Sequence, residues 1–387
     1  MKTIIDLGTQ PIANGFVEKE ACSSEFFYSL KMHKDPDTGL LTQGSGALRP
    51  SLMFNDDYSY RASMSATMRL HFSELSKSLQ TNKDIKILEI GSNDGVFIKN
   101  WGTQNAISVE PCGNFAKETQ AMGYKTYNDF WSEDLGEKIL AAHGPQDIVF
   151  SANCMCHIPD LDSAFKAVKS LLSDHGIFIF EDPSLAEMVN NTSYDQIYDE
   201  HLHIFSITSL DKILKRNGME IVKVENLNVH GGSNRVFAKK SGAIPDNSVE
   251  DNKSYEKICG ATDGLHSFSF KVKESKKNLL NILKNCKEEG KKVISYGATS
   301  KSTTVFNYCG IDANLIDYIT DTTPEKQNKF SPGKHIPIVK PSGVIDKSVD
   351  YVFLGAWNFL EEIQKKEHKF ISRGGRFITH IPCARII

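Results

Sequence analysis

The chain has 387 residues, a formal net charge of −3 and 40% hydrophobic residues, a balance typical of a globular protein with two or three domains. The near-neutral charge argues against nucleic acid as a partner, and no apolar stretch approaches the roughly 20 residues that span a bilayer. Eight scattered cysteines and an N-terminus without a signal-peptide core predict a reduced, cytoplasmic protein.

Residues 1–80 lack the alternation of strands and helices that follows them. They predict a short strand and a loop, and then a helix over about 63–79 whose N-cap is Ser63 or Ser65. We expect this segment to form a small N-terminal subdomain.

Residues 81–240 alternate regularly between apolar strands and amphipathic segments. The alternation predicts a parallel sheet with helices on both faces, and residues 161–172 predict one of these helices. The predicted strands are 85–90, 106–110, 125–127, 147–151, 176–181, 220–224 and 233–238.

The last third of the chain predicts a second, smaller α/β domain. The polar stretch 241–263 and a Lys-rich helix over about 268–289 form the expected connection, residues 241–290. Residues 291–387 then resume the alternation and predict a Rossmann-like domain. Its predicted strands are 292–297, 315–319, 351–354 and 376–378.

The candidate cofactor site is the loop 89–95, Glu-Ile-Gly-Ser-Asn-Asp-Gly, between the first strand of the regular alternation and a predicted helix. Open parallel sheets bind ligands at such strand ends, and Gly91 lets the backbone approach a ligand closely. A dinucleotide loop needs a third glycine, whereas position 97 is Phe. Glu89 in the first strand and Glu110 after the second suit S-adenosylmethionine better. Glu110 is expected to accept hydrogen bonds from the ribose hydroxyls, with Glu89 near the methionine amino group.

Several further segments resemble one family, the sugar C-methyltransferases that act on nucleotide-linked keto-deoxysugars. They are 58–65, 151–159, 194–201, 229–233, 296–301, 332–337 and 356–359. The resemblance covers nearly the whole chain. It implies a class I methyltransferase sheet, S-adenosylmethionine as cofactor, and a C-terminal domain that helps to hold the nucleotide-sugar.

The resemblance also implies an acceptor site built from Tyr60, His157, Tyr198, Glu200 and His201. Methylation at carbon requires a base for an unreactive C–H and donors for the enolate oxygen. His201 is the candidate base, with Glu200 orienting or charging it and Tyr198 as a donor to the sugar or an alternative base.

The remaining predicted site residues belong to the cofactor or to the nucleotide. Asn93, Gly95 and Asn153 join the cofactor set by their places in the glycine loop and after the fourth strand. Gly297, Ser300 and Lys301 lie where a strand of the C-terminal domain passes into a helix, so that backbone N–H groups and the lysine can hold a phosphate.

We predict no metal. Members of the family usually begin with two cysteine pairs that bind zinc, and this chain lacks both. Zinc is not expected, because Cys22 alone cannot supply the four ligands of a structural zinc site. Cys154 and Cys156 are too closely spaced for the usual zinc motifs and are interpreted as packing residues, as is His203.

Two alternative functions are open at this stage. The first retains S-adenosylmethionine and methylates a sugar oxygen or nitrogen. The second is an NAD-dependent sugar-nucleotide oxidoreductase or epimerase, which the missing third glycine and the lack of a Tyr-x-x-x-Lys pair disfavour.

Overall fold

A computed structural model describes residues 1–82, 84–343 and 345–387. Within these ranges no helix is long and apolar enough to cross a membrane. The strands, in chain order, are β1 Lys2–Pro11, β2 Phe27–Lys34, β3 Leu41–Thr42, β4 Ile87–Ile90, β5 Ala106–Val109, β6 Lys125–Tyr127, β7 Gln146–Ala152, β8 Leu172–Pro183, β9 His203–Ile204, β10 Met219–Leu227, β11 Ser233–Lys240, β12 Val293–Tyr296, β13 Ile319–Thr320, β14 Ile338–Val339, β15 Tyr351–Leu354, β16 Arg376–Thr379 and β17 Arg385–Ile386. The α-helices are α1 Ala66–Leu79, α2 Gly113–Ala121, α3 Glu133–His143, α4 Leu161–Leu171, α5 Leu185–Asn191, α6 Ile207–Arg216, α7 Asn247–Ile258, α8 Leu265–Glu288, α9 Ser300–Cys309, α10 Leu360–Lys366 and α11 His368–Ser372.

The N-terminal segment contains three strands where the sequence predicted one short strand. Strands β1, β2 and β3 pair antiparallel. Strand β9 completes the sheet and directly follows residues 194–202, called the acceptor loop below. Leu7 and Leu30 of this sheet lie in one hydrophobic core with Phe268 of α8 and Phe306 of α9. The N-terminal sheet is therefore held by packing against the C-terminal half of the chain.

The central sheet has seven strands in the order β10-β11-β8-β7-β4-β5-β6. Strands β8, β7, β4, β5 and β6 are parallel, as predicted, and β10 runs in the same direction. Strand β11, between β10 and β8, runs antiparallel to both, so the predicted parallel sheet contains one reversed strand. The short turn Val229–Gly231 joins β10 to β11, and a turn of this length can connect only antiparallel strands. His230 (φ 53°) and Gly231 (φ 89°) supply its left-handed backbone.

The helix predicted after the glycine loop is replaced by a single 3-10 turn, Ile98–Asn100. Val96, Phe97 and Ile98 are consecutive and all buried, a pattern that an amphipathic helix cannot satisfy. Helix α1 covers this face of the sheet, and its Phe72 packs edge-on against Phe97 and Phe150. The predicted cap of α1 is confirmed at Ser65, whose Oγ accepts a hydrogen bond from the Met68 N–H at 3.3 Å.

The C-terminal sheet has the order β14-β13-β12-β15-β16-β17 and is parallel except for β17. The polar connection before it contains helix α7, although the polar composition of residues 241–263 predicted a linker there. Because both main sheets are parallel around β4 and β12, each collects loops at the carboxyl ends of its strands.

Candidate active site

One cavity of about 630 Å³ is lined by loops from all three sheets. The central sheet contributes the loops after β4, β5 and β7, the C-terminal sheet the loops after β12, β13 and β15, and the N-terminal segment residues 58–65. Almost all predicted site residues lie on this one surface. They are Tyr60, Glu89, Gly91, Asn93, Glu110, Asn153, His157, Tyr198, Glu200, His201, Gly297, Ser300 and Lys301.

Gly95 is the predicted site residue that does not line the cavity. Its φ is +75°, and a Cβ there would lie 3.2 Å from Cγ2 of Thr119. Gly95 thus shapes the loop and packs against α2, and it does not itself face a ligand.

The glycine loop is packed closely against its neighbours at the cavity wall. Gly91 has a φ of +74°, and a Cβ there would lie 2.8 Å from the Cys154 sulfur. Asn93, also in the left-handed region (φ 48°), ties the loop to the N-terminal segment. Its side chain accepts from the Ala62 N–H at 3.0 Å and donates to the Tyr60 carbonyl at 2.9 Å.

Two buried carboxylates face this loop, as the sequence predicted. Glu110 accepts hydrogen bonds from the backbone N–H groups of Asn93 (2.7 Å) and Cys112 (2.8 Å), which fixes its orientation at the cavity wall. Glu89 is 4% exposed, and its Oε2 has no hydrogen-bond partner among the described residues. Burial and the neighbouring Glu110 raise the pKa of Glu89. A buried carboxyl oxygen without a partner beside a glycine cradle fits the polar ends of S-adenosylmethionine, whose amino group can satisfy it.

Tyr198 and His201 form a hydrogen-bonded pair whose direction is fixed by the backbone. His201 Nδ1 lies 2.6 Å from the Gln196 carbonyl, which can only accept, so Nδ1 carries the proton. His201 Nε2 is then an acceptor, and the Tyr198 hydroxyl, 2.7 Å away, donates to it. The basic nitrogen of His201 is therefore covered by the Tyr198 hydroxyl.

Both members of this pair are neutral at rest. Burial and the nearby His157 lower the pKa of His201 well below its ordinary value. Burial and the nearby Glu200 raise the pKa of Tyr198 well above its ordinary value.

His157 lies next to this pair in the acceptor part of the cavity. Its ring stacks between Phe54 (5.1 Å) and His201 (5.4 Å), and its Nε2 has no hydrogen-bond partner among the described residues. Burial lowers the pKa of His157 to about 3, so it is a neutral hydrogen-bonding group at physiological pH.

The expectation that Glu200 orients His201 was wrong, because the Gln196 carbonyl has that role. Glu200 instead accepts from Asn14 Nδ2 at 2.5 Å and from the Tyr58 hydroxyl at 2.8 Å. The carboxylate thus ties the acceptor loop to the N-terminal segment. Tyr60, predicted beside the sugar, is 37% exposed on the cavity wall.

The acceptor loop is held by groups that sequence reasoning missed. Gln43 Nε2 donates to the carbonyls of Tyr198 (2.8 Å) and His201 (3.0 Å), and the Ala13 N–H donates to Asp199 Oδ1 at 2.9 Å. These partners are more than 150 residues away in sequence. Only the resemblance of segments 58–65 and 194–201 gave any signal, and it pointed at Tyr58 and Gln196 without assigning them roles.

Cys156, His157 and His201 bring three potential metal-ligand atoms within 4.8 Å of one another. Their contacts suit hydrogen bonding better than metal binding. Both ring nitrogens of His201 are hydrogen-bonded, and burial raises the pKa of the Cys156 thiol, which disfavours the thiolate that a metal needs.

Two family models match consecutive parts of the chain. Residues 60–224 match the family model of a methyltransferase domain, and residues 228–382 match that of the C-methyltransferase C-terminal domain. The chain is 29% identical to the C-methyltransferase NovU of Streptomyces niveus over 396 residues, which cover 99% of this chain and 94% of that protein.

Two solved structures resemble the chain over less than half of its length. A magnesium protoporphyrin IX methyltransferase from Synechocystis PCC 6803 with bound SAH is 14% identical, with a TM-score of 0.34, and the match covers 45% of this chain and 83% of that one. A possible histamine N-methyltransferase from Thermotoga maritima is 17% identical, also with a TM-score of 0.34, over 44% of this chain and 89% of that one.

Proposed function

The chain belongs to the S-adenosylmethionine-dependent C-methyltransferases with this C-terminal domain, and from that premise we propose that its acceptor is a carbon next to the ketone of a dTDP-linked 4-keto-deoxysugar. The observation on which the proposal rests is the buried Tyr198–His201 pair on the wall of the cofactor cavity. Methylation of an oxygen or nitrogen breaks no C–H bond of the sugar, so exchange of the proton next to the ketone distinguishes it from methylation at carbon. Assignment to this family also removes the oxidoreductase alternative.

The pair acts as a relay for the proton of the carbon acid. S-adenosylmethionine, when bound, supplies an electrophilic methyl group. As the substrate C–H bond breaks, the Tyr198 oxygen takes the proton and passes its own to Nε2 of His201, whose Nδ1–H stays on the Gln196 carbonyl. Positioned general bases of this kind accelerate a reaction roughly 10²–10⁴-fold.

The loops after β12 and β13 provide the groups for the nucleotide. Gly297 and Ser300 line the cavity at the start of α9, where the first N–H groups of a helix have no intrahelical acceptor. Thr320, Thr323 and the exposed Lys366 line the same end. This set suits a nucleoside diphosphate.

The first experiment is calorimetric titration of the protein with S-adenosylhomocysteine, dTDP and UDP. We expect binding of S-adenosylhomocysteine and a preference for dTDP over UDP. Proton NMR then follows dTDP-4-keto-6-deoxyglucose in D2O with S-adenosylhomocysteine present. Exchange of the proton next to the ketone supports methylation at that carbon. The proposal is contradicted if the enzyme transfers a methyl group from S-adenosylmethionine but exchanges this proton in no nucleotide-sugar.

A further inference from the structure

Lys301 is a buried ammonium group from the C-terminal domain that lines the acceptor cavity. It lies in the first turn of α9, is 9% exposed, and makes no hydrogen bond through Nζ to any residue in the described ranges. Buried charges are normally paired by hydrogen bonds, so an ammonium open only to a cavity has its donors available for a ligand.

The packing of α9 directs Lys301 towards the relay. Thr304, three residues further along the same helix face, donates through Oγ1 to the Ile197 carbonyl at 3.2 Å, next to Tyr198. Thr303 donates to the Ala13 carbonyl at 3.0 Å. The helix face that carries Lys301 therefore lies against the acceptor loop.

The charges around Lys301 support an anion that forms only during the reaction. Burial lowers the pKa of Lys301, and the carboxylates of Asp195 and Glu200 oppose this effect. Asp195 already accepts from Trp357 Nε1 at 2.5 Å, and Glu200 from Asn14 and Tyr58. These carboxylates favour the charged form of Lys301 without occupying its hydrogens, and they would repel a permanent dianion.

We propose that Lys301 donates to the ketone oxygen of the sugar and stabilises the enolate. This inference rests on the proposed function. When the C–H bond next to the ketone breaks, its electron pair forms the C=C bond and the carbonyl pair moves to the oxygen held by Lys301. The proton goes to the Tyr198–His201 relay. The electron pair then forms the new C–C bond to the methyl group, the sulfonium C–S bond breaks, and the ketone re-forms.

This assignment differs from the phosphate-binding role that the sequence suggested. A phosphate beside Lys301 would lie next to the buried Asp195 and Glu200. The loop after β13 offers Thr320 and Thr323 to the nucleotide in place of Lys301. Lys301 thereby makes the C-terminal domain part of the chemistry as well as of nucleotide binding.

The test compares Lys301→Met with Lys369→Met, a lysine exposed on α11 away from the cavity. Two quantities are measured for each: the exchange rate of the α-proton of saturating dTDP-4-keto-6-deoxyglucose in D2O, and the dissociation constant of dTDP. Removal of one oxyanion donor lowers rates about 10²–10³-fold. We expect a loss of that size in exchange for Lys301→Met, with dTDP affinity within about threefold, and no change for Lys369→Met.

Chemical rescue separates a catalytic from a structural role. Ethylammonium added to Lys301→Ala should restore part of the exchange rate, which a merely misfolded variant would not show. Weakened dTDP binding with normal exchange at saturation would make Lys301 a phosphate ligand and overturn the inference. Failure of the proposed function would appear differently, as a wild-type enzyme that binds S-adenosylhomocysteine but never exchanges the α-proton.

Discussion

Replacing Tyr198 by phenylalanine tests the proton relay, because it removes the hydroxyl and leaves the His201 ring in place. The Tyr198 hydroxyl donates to His201 Nε2 at 2.7 Å, and the Gln196 carbonyl independently holds Nδ1 at 2.6 Å. If the proton must pass through Tyr198, Tyr198→Phe loses the whole general-base contribution, about 10²–10⁴-fold in kcat. If His201 acts directly, the variant loses one hydrogen bond of about 1 kcal/mol, a change of under tenfold.

Single-turnover methyl transfer is the assay, with the dissociation constant of S-adenosylhomocysteine measured in parallel. His201→Ala should lower the rate of methyl transfer roughly 10²-fold or more whether the proton passes through Tyr198 or directly to His201, while cofactor binding stays intact. The matched control is His203→Gln, since His203 is also buried but binds the Ile158 carbonyl and does not line the cavity. A Tyr198→Phe enzyme within tenfold of wild type, beside an inactive His201→Ala, would refute the relay and leave His201 as the direct base.

The remaining predictions concern the cofactor loop and pH. Glu110→Ala should weaken S-adenosylhomocysteine binding about tenfold or more by calorimetry, because hydrogen bonds to charged groups contribute about 1.5–3 kcal/mol. The control Glu137→Ala, at an exposed position, should bind as wild type does. Equal affinities of the two variants would remove Glu110 from the cofactor site. Gly91→Ala should abolish S-adenosylhomocysteine binding. The control Gly144→Ala, with a similar φ of +71° but open space around it, should lower stability alone. A Gly91→Ala protein that still binds would show that the glycine loop does not hold the cofactor. Burial lowers the pKa of His203 from 6.5 to about 4. Below pH 6.5 the unfolded chain therefore takes up a proton that the folded chain does not. At pH 5, which is 1.5 pH units lower, this lowers the free energy of unfolding by about 2 kcal/mol. Urea titrations at pH 8 and pH 5 should show His203→Gln losing about 2 kcal/mol less than wild type over that range, and equal losses would contradict the assignment.

Local sequence determined the elements whose signal lies within a few residues. Strands 125–127 and 351–354 were predicted with the bounds that the structure has, and α4 to within one residue, because short apolar runs and one-sided helices follow from the pattern of burial. The glycine loop and its two carboxylates were likewise found from type and spacing. The prediction of a helix after that loop was wrong, because the burial of Phe97 depends on packing against α1, which lies elsewhere in the sequence.

The sequence by itself therefore determined which residue types meet at the strand ends, since parallel strands bring those ends to a common edge. Only the tertiary structure decided their partners. It gave His201 the Gln196 carbonyl in place of Glu200, gave Glu200 to Asn14 and Tyr58, and brought Lys301 to the acceptor loop. The reason is physical: a hydrogen bond between residues 186 apart, such as that of Asn14 and Glu200, depends on how three sheets pack, and no short pattern records that packing.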